Sequence, residues 1–204
     1  MKIKEATFIT SVAGADKFYK TNKPIIAICG KSNVGKSSLI NMLANRKKLA
    51  KTSVTPGRTR LINYFDFGEF VLADLPGYGF AKVSKEEKKK WGMLLETFLA
   101  KEDITLVLSL VDVRHEPTAD DKMMINYLYH YALPFVLVAT KADKLPKTKV
   151  KPRLIEISQS LKVGVSDVIG SSAETGLGKE DIFSAIEQAV TLKKQAKEQD
   201  EEEV

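Results

Sequence analysis

A chain of 204 residues with 44% hydrophobic content suits one domain with a sizeable core, and no apolar run reaches the roughly 18 residues that a transmembrane helix needs. The formal net charge is +6; the final residues, Thr191–Val204, hold three lysines and five acids, so the rest of the chain carries +8. That excess is compatible with a polyanionic partner such as RNA, and equally with simple solubility. A single cysteine excludes an internal disulfide, the first ten residues lack the apolar core of a signal peptide, and no pattern indicates a dimer. We therefore expect a soluble, cytoplasmic monomer without membrane contact.

Strands and helices are expected to alternate along the chain. Short apolar runs rich in β-branched residues predict buried strands, and apolar residues that recur on one helical face predict helices. After a polar leader strand or arm at 1–23, the first half is expected to contain a strand at 24–29, a helix at 36–48, a long loop at 49–60 and a hairpin at 61–74 with its turn at 66–69. The second half is expected to contain helices at 84–100, 118–132 (capped by Thr118), 154–162 and 179–199, and strands at 104–113, 134–140 and within 166–173.

This order predicts a three-layer α/β fold. Near-continuous apolar strands that alternate with helices favour a mostly parallel sheet, here of six strands, with helices on both faces. The hairpin is expected to supply one antiparallel edge strand. In such folds the ligand lies beyond the carboxyl ends of the strands, and the most informative loops of this sequence follow predicted strands.

The segment "GKSNVGKS", Gly30 to Ser37, predicts a phosphate-binding loop. It matches GxxxxGK[ST], follows a predicted strand and opens a predicted helix, a context that makes the pattern specific. Gly30 and Gly35 permit the backbone angles that let successive N–H groups surround a phosphate, and the helix N-terminus adds its positive end. Lys36 would reach the outer phosphates, and the Ser37 hydroxyl would bind Mg²⁺. We expect nucleotide contacts from Gly30, Lys31, Ser32, Asn33, Val34, Gly35, Lys36, Ser37 and Ser38.

The segment "DLPG", Asp74 to Gly77, predicts a loop that senses the γ-phosphate. Asp74 ends a predicted strand, and a carboxylate there can hold Mg²⁺ through a water. The N–H of Gly77 can meet a γ-phosphate when the loop is ordered. The pattern DxxG is common by itself, but its place one hairpin after a phosphate loop makes it informative.

The segment "ATKADK", Ala139 to Lys144, predicts a guanine pocket. In the pattern [NT]KxD, Asp143 accepts hydrogen bonds from the ring N1–H and the exocyclic amine of guanine, whereas adenine presents the wrong donors and acceptors. The stem of Lys141 would lie along the base. Thr140 stands where asparagine is usual, which we expect to weaken one loop contact. The segment formed by Ser171, Ser172 and Ala173 would place a backbone N–H near the guanine oxygen, so GTP and GDP are favoured over ATP.

These motifs, in this order, resemble those of the translation-factor-like P-loop GTPases, which have a Ras-like fold. The segments "GKSNVGKSSLIN", "TPGRTR" and "DLPGYG" are similar to those of the EngB (YihA/YsxC) family, in the group that includes TrmE, Era and EngA. The resemblance covers about residues 8–190, and it implies a GTPase domain at 24–190 followed by a charged tail at 191–204. It further implies a GTP hydrolase that acts in assembly of the large ribosomal subunit and is linked to normal cell division and septation.

The resemblance also implies that the loop at 49–60 is the first switch. Thr59 would then be the magnesium-binding threonine, because it precedes Arg60 as in the family and adjoins the next strand; Thr55 is the local competitor. Gly57 and Arg58 would flank the phosphates. The arginines of "RTR" could instead form a solvated basic turn.

Residue 78 raises the question of how GTP would be hydrolysed. Tyr78 stands where Ras-like GTPases keep a glutamine that orients the attacking water, and a phenol is a poor substitute. TrmE-like proteins place an asparagine in the phosphate loop that helps to bind K⁺ in place of an arginine finger, and Asn33 occupies the corresponding position. We expect slow intrinsic hydrolysis, stimulated by potassium or a partner, with Lys36, Thr59 and Asn33 as the catalytic residues; Asn33 could instead only stabilise the loop.

Alternative functions remain open at this stage. A small-molecule kinase is disfavoured because no lid-like arginine cluster accompanies the guanine motif. A passive RNA-binding domain with a degenerate nucleotide site is disfavoured by the intact phosphate and base motifs, and a nucleotide-dependent RNA- or protein-binding module with little intrinsic hydrolysis is the alternative to the switch. The expected partner is the large ribosomal subunit, through rRNA or protein. The lysines that follow the DxxG segment could contact RNA phosphates or could lie on a solvated helix face; they are Lys82, Lys85, Lys88, Lys89 and Lys90.

Overall fold

The computed structural model describes residues 5–14, 17–50, 61–79 and 85–202. Within these ranges the strands form one sheet of seven, in the order β1-β3-β4-β2-β5-β6-β7. The strands are β1 (Thr7–Val12), β2 (Ile25–Gly30), β3 (Ile62–Asp66), β4 (Val71–Asp74), β5 (Ile104–Asp112), β6 (Phe135–Thr140) and β7 (Val168–Gly170). The helices are α1 (Lys36–Leu43), α2 (Lys85–Lys101), α3 (Ala119–His130), α4 (Lys147–Leu161) and α5 (Lys179–Glu202).

The sheet confirms the predicted α/β fold and corrects its edge. Strands β4, β2, β5, β6 and β7 pair in parallel, while β3 pairs antiparallel with both β4 and β1. The sheet therefore has seven strands rather than the predicted six, and the antiparallel strand lies inside it rather than at its edge. The strand at this edge is β1, which belongs to the segment predicted as a leader strand or arm. Most of its side chains are exposed or half-buried, so it carries little of the hydrophobic pattern that reveals strands from sequence.

The predicted hairpin is confirmed. Strands β3 and β4 pair from Asn63–Asp74 to Asp66–Val71, and the N–H of Phe67 donates to the carbonyl of Phe70 across the turn at 3.0 Å. Gly68 has φ +84° and its N–H donates to Asp66 Oδ1 at 2.8 Å. The glycine is required there because L side chains rarely adopt such an angle.

Helices cover both faces of the sheet because β2 buries every side chain, alternately to each face. One face of the core packs side chains of α2, α3 and α4, such as Phe98, Leu128 and Ile157, against the sheet. The other packs side chains of α1 and α5, such as Ile40 and Ile186. Each such side chain, fully buried, contributes about 1.5–3 kcal/mol. The two clusters give the predicted three layers.

Two helix starts illustrate what local sequence can and cannot predict. The N-cap of α3 is Thr118, as predicted, and it forms a capping box with Asp121. Helix α4 begins at Lys147, earlier than the predicted residue 154, and it includes Pro152. Proline usually marks a helix boundary; Pro152 is the sixth residue of α4, past the first turn, so its missing N–H leaves the helix without one backbone hydrogen bond. Among the described residues, no helix has the length and apolar content to cross a membrane.

Candidate nucleotide-binding site

The motif-bearing loops meet at one edge of the sheet. The phosphate loop follows β2, the DxxG segment follows β4, the TKxD segment follows β6 and the SSA segment follows β7. Because β2, β4, β6 and β7 run in parallel, these segments all leave the sheet at its carboxyl edge. The structure thus brings together loops that lie more than 100 residues apart in the chain.

The phosphate loop has a backbone that depends on its glycines. A Cβ at Gly30 would lie 2.9 Å from Val34 Cγ1 and 3.0 Å from the Leu110 carbonyl, so a larger residue cannot fit. Asn33 and Gly35 have φ of +63° and +116°, and Gly35 is the N-cap of α1 without a side-chain capping hydrogen bond. The loop therefore turns sharply into the amino end of a helix, where backbone N–H groups favour an anion.

The DxxG segment lies directly against the phosphate loop. The N–H of Leu75 donates to the Ile28 carbonyl at 2.9 Å, the N–H of Tyr78 donates to the Gly30 carbonyl at 3.3 Å, and the N–H of Ser32 donates to the Tyr78 carbonyl at 2.9 Å. A Cβ added at Gly77 would lie 3.0 Å from Lys36 Nζ and 3.1 Å from the Ser32 nitrogen. Gly77 is thus held at the mouth of the phosphate loop, beside its lysine, where a larger residue would force the lysine or the loop backbone to shift.

The Tyr78 side chain lies in the core. It is 3% exposed, and its hydroxyl donates to Asp121 Oδ1 at 2.8 Å. The phenol is therefore occupied by a buried contact with α3. This placement agrees with the expectation that Tyr78 does not take over the role of a water-orienting glutamine.

Asp74 presents a carboxylate oxygen that suits a hard cation. The side chain is 8% exposed; Oδ2 accepts a hydrogen bond from Asn63 Nδ2 at 3.3 Å, while Oδ1 has no hydrogen-bond partner among the described residues. Burial raises the pKa of the carboxyl, and the nearby Lys36 charge and the Asn63 hydrogen bond oppose that rise. An unpartnered buried oxygen is costly unless an ion or water meets it, and oxygen donors from Asp74 and Ser37 are those that Mg²⁺ prefers. The residues present therefore fit Mg²⁺.

The described residues contain no cluster of three or more His, Cys, Asp or Glu side chains that could hold a metal by itself. A magnesium ion at this place would share its coordination with phosphate oxygens and water. That is the usual arrangement for Mg²⁺ beside a nucleotide.

The base motif is tied to the phosphate loop by two side chains. Lys141, at φ +62°, donates from Nζ to the Asn33 carbonyl at 2.8 Å and to Asp112 Oδ2 at 2.9 Å. The buried Thr140 hydroxyl lies 2.7 Å from the Val34 carbonyl and within 3.0 Å of the Val111 carbonyl. Thr140 was expected to weaken a loop contact, yet its hydroxyl makes a direct contact with the phosphate loop.

Asp112 is a site residue that sequence reasoning missed. Besides Lys141, it accepts hydrogen bonds from Arg114 Nε at 2.9 Å and from the second guanidinium nitrogen at 2.7 Å. Burial by itself would raise the pKa of Asp112, but the hydrogen bonds from Arg114 and Lys141 outweigh it and hold the pKa well below its usual range. The sequence feature that could have indicated its role is its position as an acid at the carboxyl end of the apolar strand β5.

Asp143 is held as an anion at the base pocket. The Ser172 hydroxyl donates to Oδ1 at 2.6 Å, and Lys144 Nζ lies 2.9 Å from Oδ2. These hydrogen bonds lower the pKa of Asp143, the one from Ser172 most of all. At neutral pH the side chain is therefore an acceptor, as recognition of the guanine donors requires.

The SSA segment is fixed against β6. The N–H of Ser171 donates to the Ala139 carbonyl at 2.8 Å, and the Ser171 carbonyl accepts from the N–H of Ala142 at 3.0 Å. The exposed Ala173 lies at the rim of the pocket. The segment is thereby placed next to the TKxD motif, as predicted from the order of the motifs.

A cavity of about 720 Å³ is lined by the base motif and, from the phosphate segment, by Gly35 and Ser38; its volume is within the range of small-molecule sites. The predicted residues that line it are Gly35, Ser38, Thr140, Lys141, Asp143, Ser171 and Ala173. It also contains residues that the sequence did not indicate, among them Asn41 from α1 and Lys179 from α5.

The predicted first switch lies outside the described residues. Gly57, Arg58, Thr59 and the alternative Thr55 all fall within 51–60. Their roles stay predictions. Lys82 also lies outside the described residues. Among the lysines that follow it, Lys89 is exposed.

Known proteins similar to this chain are GTP-binding proteins. A family model described as "50S ribosome-binding GTPase" matches residues 25–141. A probable GTP-binding protein EngB from Shouchella clausii (strain KSM-K16) is 44% identical over 189 residues, which cover 91% of this chain and 96% of that protein. A protein of the same name from Geobacillus kaustophilus (strain HTA426) is 43% identical over 189 residues, with 91% and 97% covered.

Solved structures show the same fold. The crystal structure of a probable GTP-binding protein engB matches with a TM-score of 0.68 at 21% identity, over 82% of this chain and 98% of that chain. The structure of Era in complex with MgGDPNP and nucleotides 1506–1542 of 16S ribosomal RNA matches with a TM-score of 0.62 at 24% identity, over 80% of this chain and 55% of that chain.

Proposed function

Because the chain belongs to the EngB family of GTP-binding proteins and is a GTP hydrolase, we propose that it acts as a GTP-driven switch in assembly of the large ribosomal subunit. The observation that carries the proposal is the joining of a phosphate loop and a guanine motif in one cavity, together with a match to a family described as 50S ribosome-binding GTPases. The net charge of +8 outside the tail supports a polyanionic partner. The resemblance extends the role to normal cell division and septation.

The switch would be operated by the γ-phosphate. Lys36 would contact the outer phosphates, and the N–H of Gly77 would meet the γ-phosphate. The placement of Gly77 beside Lys36 Nζ supports this assignment. In the GTP state these contacts would order the segments at 49–60 and 74–81, and hydrolysis would release them. The ordered state would bind rRNA or ribosomal protein, with the protein acting as a monomer in the cytoplasm.

Magnesium would be held by Ser37, Thr59 and Asp74. The unpartnered Oδ1 of Asp74 supports its place in the set. When bound, the ion supplies positive charge that neutralises the phosphates. The chain's own contribution is to keep the Asp74 carboxylate in position through the hydrogen bond from Asn63 and to keep Lys36 beside it.

Potassium would stimulate hydrolysis through Asn33. The Asn33 side chain is exposed at a turn with φ +63°, and its carbonyl is held by Lys141, so the amide is available at the rim of the phosphate loop. A cation supplied to this reaction in other GTPases is worth about 10³–10⁵ in rate, so slow hydrolysis is expected in its absence. Rates measured in K⁺ and in Na⁺ should differ for the wild type and converge for Asn33→Ala. Equal rates in both ions for both proteins would remove potassium from the proposal and leave Asn33 a stabiliser of the loop.

The ribosomal role is tested by the effect of ribosomal subunits on hydrolysis. Phosphate release from GTP would be followed with the protein by itself, with purified large subunits and with small subunits as the matched control. We expect the large subunit to change the rate and the small subunit to leave it unchanged. A rate insensitive to both would count against the ribosomal role. Phosphate transfer to an added acceptor, rather than release, would indicate the kinase alternative.

A further inference from the structure

Tyr78 is anchored through three of its atoms to two different parts of the fold. Its N–H donates to the carbonyl of Gly30, at 3.3 Å, and its own carbonyl accepts from the N–H of Ser32, at 2.9 Å. Its hydroxyl donates to Asp121 Oδ1 at 2.8 Å. The main chain of residue 78 is therefore bound to the phosphate loop, while its side chain is bound to the amino end of α3.

The Asp121 side chain is held by Thr118 independently of its hydrogen bond with Tyr78. The side chain is 6% exposed, and its second oxygen, Oδ2, accepts from both the N–H and the hydroxyl of Thr118 at 2.7 Å. The carboxylate lies in the first turn of α3, where the helix dipole stabilises negative charge. One oxygen thus caps the helix, and the other is directed at Tyr78.

The tyrosine hydroxyl is a permanent donor. Burial, together with the neighbouring Asp121 carboxylate and its hydrogen bond, raises the pKa of Tyr78 well above its ordinary value. The hydroxyl therefore stays protonated at physiological pH. A hydrogen bond from a neutral donor to a buried carboxylate is among the stronger kinds.

We propose that Asp121 is a positioning residue for the GTP site, which acts through Tyr78 to hold Gly77 at the mouth of the phosphate loop. Gly77 precedes the anchored residue by one position, and its Cα lies so close to Lys36 Nζ and the Ser32 nitrogen that an added Cβ would be 3.0 and 3.1 Å from them. Fixing residue 78 limits how far the Gly77 N–H can move. A γ-phosphate that binds there meets a Gly77 whose movement is already limited, so less of the segment at 74–81 is left for the ligand to order.

Loss of the Tyr78 anchor should change the affinity for GTP but not the affinity for GDP. This selectivity rests on the proposed contact between the Gly77 N–H and the γ-phosphate, and it is independent of the ribosomal role. GDP lacks the γ-phosphate and gains nothing from a fixed Gly77. Loss of the Tyr78–Asp121 hydrogen bond should therefore weaken binding of a GTP analogue selectively, whereas loss of general packing would weaken both nucleotides.

The test uses Tyr78→Phe, which removes the hydroxyl and keeps the ring in the core. The full-length chain would be titrated with GDP and with a non-hydrolysable GTP analogue, and amide hydrogen exchange would be measured without nucleotide. We expect the affinity for the analogue to fall about tenfold, which corresponds to about 1.4 kcal/mol, with the GDP affinity unchanged. The exchange of the Ser32 and Tyr78 amides should rise by about the same factor.

Two further variants distinguish positioning from stability. Asp121→Ala, which leaves no side-chain partner for the tyrosine hydroxyl, should give the same selective loss, and the double variant with Tyr78→Phe should lose no more than either single variant, because both remove one interaction. Thr118→Ala is the matched control: it weakens the helix cap and lowers Tm, but the N–H of residue 118 still holds Asp121 Oδ2 and the Asp121–Tyr78 bond is kept, so the ratio of analogue to GDP affinity should stay that of the wild type.

Three results would overturn the inference. Unchanged exchange of the Ser32 and Tyr78 amides in Tyr78→Phe would show that the hydroxyl does not hold the segment. Faster exchange with an equal loss for both nucleotides would show that the bond is structural only. A selective loss in Thr118→Ala as large as in Asp121→Ala would assign the effect to the helix cap. Equal affinity of the wild type for the analogue and for GDP, with the expected faster exchange in Tyr78→Phe, would instead refute the proposed contact between the Gly77 N–H and the γ-phosphate.

Discussion

The buried Thr140 hydroxyl joins the base motif to the phosphate loop, and its removal is a sharp test of how the site is built. Thr140→Val keeps the β-branched shape and removes a donor that lies 2.7 Å from the Val34 carbonyl. The loss of a partner for a buried carbonyl costs about 1–3 kcal/mol. For a chain of this size each kcal/mol lowers Tm by about 2–4 °C, so we expect a fall of several degrees.

Thr140→Val should also weaken nucleotide binding. Val34 lies within the phosphate loop, and a loop that is less well held must be ordered by the ligand. We expect the affinity for GDP, measured by calorimetric titration, to fall about threefold to tenfold, which corresponds to about 0.6–1.4 kcal/mol. Because Val34 precedes the residues that would contact the β-phosphate, GTP analogues should lose about as much.

Thr105→Val is the matched control for this change. Thr105 is a 3% exposed threonine in β5, and its hydroxyl has no hydrogen-bond partner among the described residues. Replacement of an unpartnered buried hydroxyl by a methyl should be neutral or stabilising, and it should leave GDP affinity unchanged. Equal losses of Tm and affinity in the two variants would refute the assigned role of the Thr140 hydroxyl.

Two other predictions follow from the acids of the site. Asp143→Asn should lower guanine nucleotide affinity by about a hundredfold, since a charged acceptor of two hydrogen bonds is lost. The variant should instead favour a xanthine nucleotide, whose C2 oxygen can accept a hydrogen bond from the new amide. An unchanged preference for guanine in a competition titration would contradict this prediction. Asp112 has a lowered pKa, so its stabilising contribution is complete above its unfolded pKa of about 3.9 and is lost as pH falls through the folded value. Urea unfolding should therefore show a smaller loss of stability below about pH 4 for Asp112→Asn than for the wild type, and parallel pH profiles would contradict the assignment.

The parts of the structure that could be predicted from sequence are those set by neighbouring residues. The phosphate loop and the start of α1 follow from a local pattern of glycines and a lysine, which only one backbone path satisfies. The hairpin at 66–69 and the cap at Thr118 follow from short-range chemistry in the same way. The order of the motifs along alternating strands and helices then predicted a common edge for the ligand.

The parts that were missed depend on contacts distant in sequence. Strand β1 exposes much of its surface and is defined by pairing with β3, about 55 residues later. The bond between Tyr78 and Asp121 spans 43 residues, and no local pattern announces it. In the sequence Asp112 is only the polar end of a strand, whereas in the structure Lys141 and Arg114 form ion pairs with it. In each case the tertiary partner, rather than local propensity, decides the role.

The most direct test of the central claim is co-sedimentation with purified ribosomal subunits in three nucleotide states. The protein would be mixed with large or small subunits in the presence of a non-hydrolysable GTP analogue, of GDP or of no nucleotide. A GTP-driven switch in large-subunit assembly predicts strong binding to the large subunit with the analogue, weak binding with GDP, and little binding to the small subunit. Equal binding in all three states, or none in any, would contradict the account.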